Sequence, residues 1–343
     1  MPEQSRLEAV ADLLRDHVSP RGIEQYYTQT GVCQEDFIQI KPRYFKGHVF
    51  AVDGSNMVVC SWSVANLNWI RAGYVVYRGS EWQRTVITYD DVFLADPQEY
   101  SGQFNSYLRG IFGLEAMNLE ETELERLSTY FRELQEYIAL LHALRSTSSG
   151  DLVLYDGGFA LWKSRLLAGI LPVIFDEAEE KEVDLLGVSK SSAFSWGQGF
   201  SRPFVHNTSL VGSRIAPGNP WYLCLSGKNI HPNPEGWDGK IYVVRFVGES
   251  DCAFRVDAPS FVANHIDRTL EKLVYCACSS ECHGYPHALF RAHREIRITE
   301  QESEAQRMKL LDMLAERGLT ESKLRSLLLD HHDLVEMRSK GVI

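Results

Sequence analysis

The sequence lacks the short motifs that mark several common enzyme classes. It contains no P-loop ending in Gly-Lys-Ser or Gly-Lys-Thr, no G-x-G-x-x-G, no H-E-x-x-H and no G-x-S-x-G. These absences exclude nucleotide binding through a P-loop and serine-hydrolase chemistry of the G-x-S-x-G type. The chain must carry out any chemistry with residues that are dispersed along the sequence.

Long apolar runs and a cysteine framework are also missing. No stretch of about 18 apolar residues occurs, and the N-terminal residues do not combine a basic segment with an apolar one. This predicts a cytoplasmic protein without a membrane span. Seven cysteines, an odd number, indicate reduced thiols rather than a disulfide framework. The cluster of Cys276, Cys278, Cys282 and His283 lacks the two separated knuckles of a zinc site.

Net positive charge is absent too. The formal net charge is -11, from 35 basic and 46 acidic residues, so the surface as a whole repels nucleic acid. Any contact with DNA would need a locally basic segment or bound cations. The sequence offers such a segment at Arg291, Arg294 and Arg297.

Apolar periodicity predicts an α/β fold in which a meander of strands is followed by a helix, a buried strand and another helix. The predicted strands span 48–52, 57–65, 69–77, 84–89, 152–155, 184–189, 220–225 and 241–247, with turns at 53–56 and 78–80. The predicted helices span 4–17, 119–144, 162–170, 263–275, 287–298, 301–316 and 320–337. This order indicates one mixed sheet with helices on its faces.

Two aspartates stand at predicted strand ends. Asp53 follows an apolar run and precedes Gly54, and Asp156 follows Leu152 to Tyr155 and precedes Gly157. Either residue could instead be a turn aspartate that caps its own backbone. If the two strands are neighbours, charges about 4 Å apart would repel by about 4 kcal/mol at an effective dielectric near 20. A divalent cation would remove that penalty.

A third carboxylate is expected from the predicted helix over 119–144. Glu136 shares a helical face with the small residues Ala139 and Ala143, which allow close packing, whereas Glu133 begins a more polar edge. This phase favours Glu136 and leaves Glu133 as the alternative.

The segment from Gly284 to His293 combines several polar groups. Pro286 suits the first turn of a helix, so Tyr285 would stand at its start and His293 about two turns later. A tyrosine, a histidine and the nearby arginines fit a phosphate-handling site better than a core.

Taken in order, these features resemble the NurA nuclease family. The resemblance rests on strand-Asp53-Gly54-Ser55, the helix with Glu136, strand-Asp156-Gly157, the segment Leu186 to Lys190, and Tyr285-Pro286 with His293. It covers roughly residues 48–300, and it departs from the family at Gly158, where glycine-serine is frequent after the second aspartate.

The resemblance implies an RNase H-like mixed β-sheet flanked by helices, related to the PIWI nuclease core. Asp53, Glu136, Asp156 and His293 would hold Mn2+ or Mg2+, and Tyr285 would complete the catalytic site. Lys190 would lie near the DNA, together with Arg291 and Arg294.

The family also implies an activity and a setting. The expected activity is hydrolysis of DNA phosphodiesters in DNA repair and end resection, by a homodimer acting with a HerA-like hexameric ATPase. The alternatives are a nuclease that acts on RNA or in defence, and a non-catalytic adaptor of a DNA translocase. The predicted organisation is a helical extension over 1–45, a nuclease domain over 46–300 and a helical segment over 301–343.

Overall fold

The fold is taken from a computed structural model of the chain. It describes residues 20–62, 65–96, 100–116, 126–160, 169–200, 202–277 and 284–319, together with Glu8, Ala11, Arg15, Cys282 and Lys323. Within these residues, the regular elements form one large sheet with helices on both faces.

Nine strands of the described residues form a mixed sheet in the order β1-β9-β10-β11-β6-β5-β2-β3-β4. Their bounds are β1 Ile38–Gln39, β2 His48–Trp62, β3 Ala65–Arg78, β4 Glu81–Ala95, β5 Leu152–Tyr155, β6 Asp184–Ser189, β9 Trp221–Cys224, β10 Gly239–Arg245 and β11 Phe254–Pro259. A separate two-stranded sheet joins β7 Ser195–Trp196 to β8 Arg202–Pro203. The central strand β5 pairs in parallel with β2 and with β6.

The half of the sheet that begins at β4 has the order β4-β3-β2-β5-β6, in which β2 to β4 form an antiparallel meander. An antiparallel meander followed by parallel strands is the RNase H-like arrangement that the sequence resemblance predicted. The predicted fold class, a mixed α/β sheet flanked by helices, is therefore confirmed.

Nine α-helices lie within the described residues. Their bounds are α1 Pro20–Thr30, α2 Asn105–Phe112, α3 Leu127–Arg145, α4 Leu171–Glu180, α5 Phe204–Ile215, α6 Ser260–Ala263, α7 Ile266–Cys276, α8 His287–Ile296 and α9 Glu300–Glu316.

Alternation along β2 assigns its side chains to two cores. Phe50 and Val52 pack in one core with residues of α2, α3 and α4. Val49 and Ala51 pack in the other core with residues of α7 and α8. The sheet therefore separates α3 from α8, and residues 49–52 of β2 face these two sides alternately.

The predicted turn at 53–56 is wrong. Strand β2 continues without a break from His48 to Trp62, and Asp53 to Asn56 pair with Gly73 to Ile70 of β3. The sequence Asp-Gly-Ser-Asn favours a turn, but cross-strand pairing outweighs that local preference here. Asp53 consequently lies in the middle of a strand rather than at its end.

Other predicted elements fare differently. Strands β5 and β6 have the predicted bounds, and α3, α8 and α9 lie within or near theirs. The pattern missed four helices, α1, α2, α4 and α5, and four strands, β1, β7, β8 and β11. Most residues of the predicted helices at 4–17, 162–170 and 320–337 lie outside the described residues. The proposed division at residues 45 and 300 stays a prediction.

Candidate active site

Asp53 and Asp156 lie side by side because their strands are parallel neighbours. Tyr155, the last residue of β5, pairs with Val52 of β2. Asp156 and Asp53 are the residues that directly follow the two members of this pair along the chain. The backbone N–H of Asp156 donates to the carbonyl oxygen of Val52 at 3.0 Å. By strand alternation, both carboxylates project towards the face covered by α8.

His293 of α8 joins the two aspartates. Its Nδ1 lies 3.0 Å from Oδ2 of Asp53, and its side chain is half exposed. An ionised Asp53 assigns the ring proton to Nδ1, which leaves Nε2 as an acceptor. The end of α8 is fixed to the same strand, since the backbone N–H of Ile298 donates to Oγ of Ser55 at 3.1 Å.

The start of α9 reinforces this attachment. Thr299 and Glu302 form a capping box at its N-terminus. The guanidinium of Arg71 on β3 contacts Glu302 at 3.2 Å and Asp90 of β4 at 3.1 Å. These bonds secure the α8–α9 junction to the meander and so help to fix His293 above Asp53.

Two further groups contact Asp156. The hydroxyl of Tyr285 donates to its Oδ1 at 3.4 Å, and the Lys190 Nζ donates to its Oδ2 at 2.5 Å. Lys190 also lies 5.5 Å from the centre of the Tyr285 ring. Burial, followed by the charges of Asp156 and Asp53, raises the pKa of Tyr285, so this tyrosine remains a hydrogen-bond donor at neutral pH.

Asp53, Asp156 and His293 together form a group that could hold a cation. One ligand atom each from Asp53, Asp156 and His293 lie within 4.8 Å of one another, and no other such group occurs among the described residues. Burial and the neighbouring charge of Asp53 raise the pKa of Asp156, while Lys190 opposes this rise. Two carboxylates and an imidazole are donors that suit Mn2+ or Mg2+.

Glu136 reaches the same strand from the opposite face. It is 1% exposed, it accepts a hydrogen bond from the Tyr155 hydroxyl at 2.9 Å, and it forms an ion pair with Arg132. A Cβ at Gly54 would lie 2.4 Å from Oε1 of Glu136, so only glycine at this position allows the approach. The structure thus brings Glu136 beside Asp53 but does not include it in the group of three.

The alternative helical carboxylate, Glu133, lies further out. Its side chain is 22% exposed and lies 3.6 Å from Arg132. Burial raises the pKa of Glu136 to about 7, with Arg132 opposing the rise and Asp53 adding to it. Burial also raises the pKa of Glu133.

The two predicted DNA-binding arginines occupy other positions on α8. Arg291 pairs with Glu295 at 2.8 Å and lies 5.2 Å from the ring of Trp82 on β4. Arg294 is exposed and lies 5.9 Å from the ring of Phe290. Of the three predicted DNA-binding residues, Lys190 is the one with a contact to a site carboxylate.

Sequence reasoning missed two groups near the site. Arg132 could have been found, because it precedes Glu136 by four residues on one helix, a spacing that favours ion pairs. Asp257 could not, because its strand was not predicted. Its carboxylate accepts from the backbone N–H groups of Phe159 and Ala160, in the segment that follows Asp156.

The cysteine cluster is only partly visible. Cys276 is buried and Cys282 is half-buried, both as free thiols. Cys278 and His283 lie outside the described residues.

Across the part of the chain that the structure describes, no helix is long and apolar enough to cross a membrane.

Comparison with solved structures gives a fold match over nearly the whole chain. The crystal structure of the NurA nuclease from Sulfolobus solfataricus superposes with a TM-score of 0.58 at 11% identity, covering 93% of this chain and 98% of that one. The catalytic domain of human Endonuclease V has a TM-score of 0.34 at 14% identity, covering 84% and 95%. The A. aeolicus Argonaute has a TM-score of 0.31 at 10% identity, covering 75% and 29%. Neither of these two likenesses adds to the fold assignment.

Sequence comparison identifies the family directly. No curated protein matches the chain. The sequence model of the NurA domain family matches residues 47–298 of this chain. The match covers well over half of the chain and includes Asp53, Asp156 and His293. The chain belongs to the NurA family.

Proposed function

We propose that this protein is a metal-dependent DNA nuclease that hydrolyses phosphodiester bonds. Membership of the NurA family supports a nuclease. The observation that carries the proposal is the convergence of Asp53, Asp156 and His293 within 4.8 Å, in a site with a lysine and a tyrosine at its edge.

Asp53, Asp156 and His293 would hold Mn2+ or Mg2+. Such an ion, when bound, would activate water and neutralise negative charge on the phosphate oxygens. Tyr285 keeps its proton and can orient a phosphate oxygen or the Asp156 carboxylate. The exposed imidazole of His293 can serve as a ligand or carry a proton between the site and solvent.

Glu136 is our proposed fourth ligand. It is the buried carboxylate nearest to Gly54, and its raised pKa means that it is poorly stabilised as an anion by Arg132 alone. A cation beside Asp53 would favour the ionised form. Ligation would require the Glu136 side chain to move past Gly54, away from Arg132.

DNA would approach over the half-exposed side of the site. The side chain of Lys190 is 42% exposed. Once a cation neutralises the Asp156 carboxylate, Lys190 can donate to a phosphate oxygen instead of to Asp156. Arg291 and Arg294 on the same helix as His293 would extend this contact. Because the net charge is -11, these few cations give weak affinity for long DNA.

A partner is therefore part of the proposal. Sequence resemblance suggests a HerA-like hexameric ATPase that delivers duplex to a homodimer of the nuclease, in repair or end resection in the cytoplasm. Long blunt duplex should then be degraded much faster when the ATPase and ATP are added, while short single strands should be cut without them. Monomers by light scattering, with no effect of the ATPase on duplex degradation, would contradict the partner proposal.

The nuclease itself is tested by digesting labelled single-stranded DNA, duplex DNA and RNA with Mn2+. We expect cleavage of DNA by the wild type and by Glu133→Gln, and none by Glu136→Gln. Chelation of the metal should stop the reaction. Preferential cleavage of RNA would indicate a nuclease of different specificity, and no cleavage of any substrate would favour a non-catalytic adaptor.

A further inference from the structure

The segment that follows Asp156 lies close against the neighbouring strands. It leaves β5 at Gly157 and crosses over β6, where a Cβ at Gly187 would lie 2.7 Å from the carbonyl oxygen of Gly157. Phe159 then returns to the core and stacks on Tyr155 at 5.6 Å between ring centres. The segment begins at the residue after Asp156, so its path lies next to the site.

A buried carboxylate on β11 holds this path. Asp257 pairs with Gly187 of β6 and is fully buried. Its Oδ2 accepts the backbone N–H groups of Phe159 at 2.8 Å and Ala160 at 3.1 Å. The segment has no strand partner of its own at these two residues, so the Asp257 side chain replaces a backbone acceptor.

Arg255 compensates the buried charge of Asp257. Its Nε donates to Oδ1 at 2.7 Å, and its Nη2 donates to Oδ2 at 2.5 Å. The guanidinium carbon lies 5.2 Å from the centre of the Phe194 ring, and the side chain is 10% exposed. A bidentate ion pair of this kind fixes the orientation of the carboxylate and also balances its negative charge.

Gly158 shows how tightly the segment fits. A Cβ at this position would lie 2.8 Å from Nη2 of Arg255 and 2.9 Å from Oδ2 of Asp257. A larger residue would require the segment or the Arg255–Asp257 pair to shift. This contact also gives a physical reason for glycine at the position where the sequence departs from the family pattern.

We propose that Asp257, held by Arg255, is a positioning residue for Asp156. It fixes the two backbone N–H groups three and four residues after the aspartate, and so sets the direction of the Asp156 carboxylate towards Asp53 and His293. The inference rests on the proposed function, because it takes Asp156 as a metal ligand. Asp257 itself contacts neither substrate nor metal in this scheme.

The test measures Mn2+ binding by the full-length protein and hydrogen exchange of the segment. Asp257→Ala removes the acceptor, whereas Asp257→Asn keeps one oxygen that can accept from Phe159 and Ala160. We expect the Kd for Mn2+ to rise about 10- to 100-fold in Asp257→Ala and less in Asp257→Asn. Exchange of the Phe159 and Ala160 amides should accelerate in the same order.

Asp184→Asn is the matched control. Asp184 is also buried, and it accepts from Lys272 at 2.7 Å and contacts Nε2 of His265 at 2.8 Å, but it pairs with Leu152 at the far end of β5. It should lower the stability of the fold without changing the Kd for Mn2+. If Asp257→Ala does not fold, Gly158→Ala disturbs the same contact from the other side and should weaken Mn2+ binding as well.

The outcomes separate this inference from the proposed function. Unchanged exchange at Phe159 and Ala160 and an unchanged Kd in Asp257→Ala and Gly158→Ala would overturn the positioning role. The proposed metal site would instead be overturned if Asp156→Asn bound Mn2+ with the same Kd as the wild type. Weaker binding in both Asp257→Ala and Asp184→Asn would mean that loss of stability, rather than positioning, explains the effect.

Discussion

Replacing Glu136 with glutamine should change how the stability of the protein depends on pH. Burial raises the pKa of Glu136 from 4.5 to about 7, which corresponds to about 3 kcal/mol. Between these pH values the unfolded chain has released the proton that the folded protein retains. The wild type should therefore lose about 3 kcal/mol of unfolding free energy as the pH rises through this window.

The Glu136→Gln variant has no ionisable group at this position, so its unfolding free energy lacks this decrease with rising pH. In the variant Arg132 keeps its contact with Glu133 but has no carboxylate at position 136, and the stability of the variant does not depend on ionisation at that position. The unfolding free energy of the wild type minus that of the variant should consequently fall by about 3 kcal/mol between pH 4.5 and pH 8.

The assay is urea unfolding with a metal chelator present, followed by tryptophan fluorescence at several pH values. Glu133→Gln is the matched control, because its more exposed carboxylate should give a smaller change of the same sign. A difference between wild type and Glu136→Gln that is constant with pH would refute the reasoning. Replacing the chelator with Mn2+ at pH 8 should stabilise the wild type more than the variant if Glu136 is a ligand.

Three further predictions concern the same site. Asp53→Asn should fold but not cleave DNA in Mn2+, and full activity would contradict the proposed site. Gly54→Ala would place a Cβ 2.4 Å from Oε1 of Glu136, so it should lower stability by about 1–3 kcal/mol and reduce cleavage; an unchanged melting temperature would count against this contact. Since burial and Asp53 raise the pKa of Asp156, cleavage should decline as the pH falls and this carboxylate is protonated. A rate that is independent of pH at saturating Mn2+ would argue against that role.

The sequence predicted those parts of the site that depend on short-range pattern. Leu152 to Tyr155 is apolar on both faces, as expected of a strand buried between two others, and this located Asp156 at its end. The small residues Ala139 and Ala143 indicated the packed face of the helix, and Glu136 lies there, against Gly54. Local composition was sufficient in both cases.

The parts that were missed depend on distant residues. The run from Asp53 to Asn56 has the composition of a turn, and it remains a strand because β3 pairs with it and Ser55 binds the end of α8. Strand β11 carries Arg255 and Asp257 on a buried surface, which no hydrophobic pattern would predict. Their burial is tolerated because each neutralises the other, and that pairing is evident only in three dimensions.

The contact between Asp53 and His293 joins two residues that are synthesised at different times. These residues are 240 positions apart. At about 5–20 residues per second, the ribosome adds the histidine roughly 12–48 s after the aspartate. A nascent chain that ends at α7 has both aspartates and the strands that bear them, but not the imidazole. The candidate cation site can therefore be completed only after α8 has emerged and docked, near the end of translation.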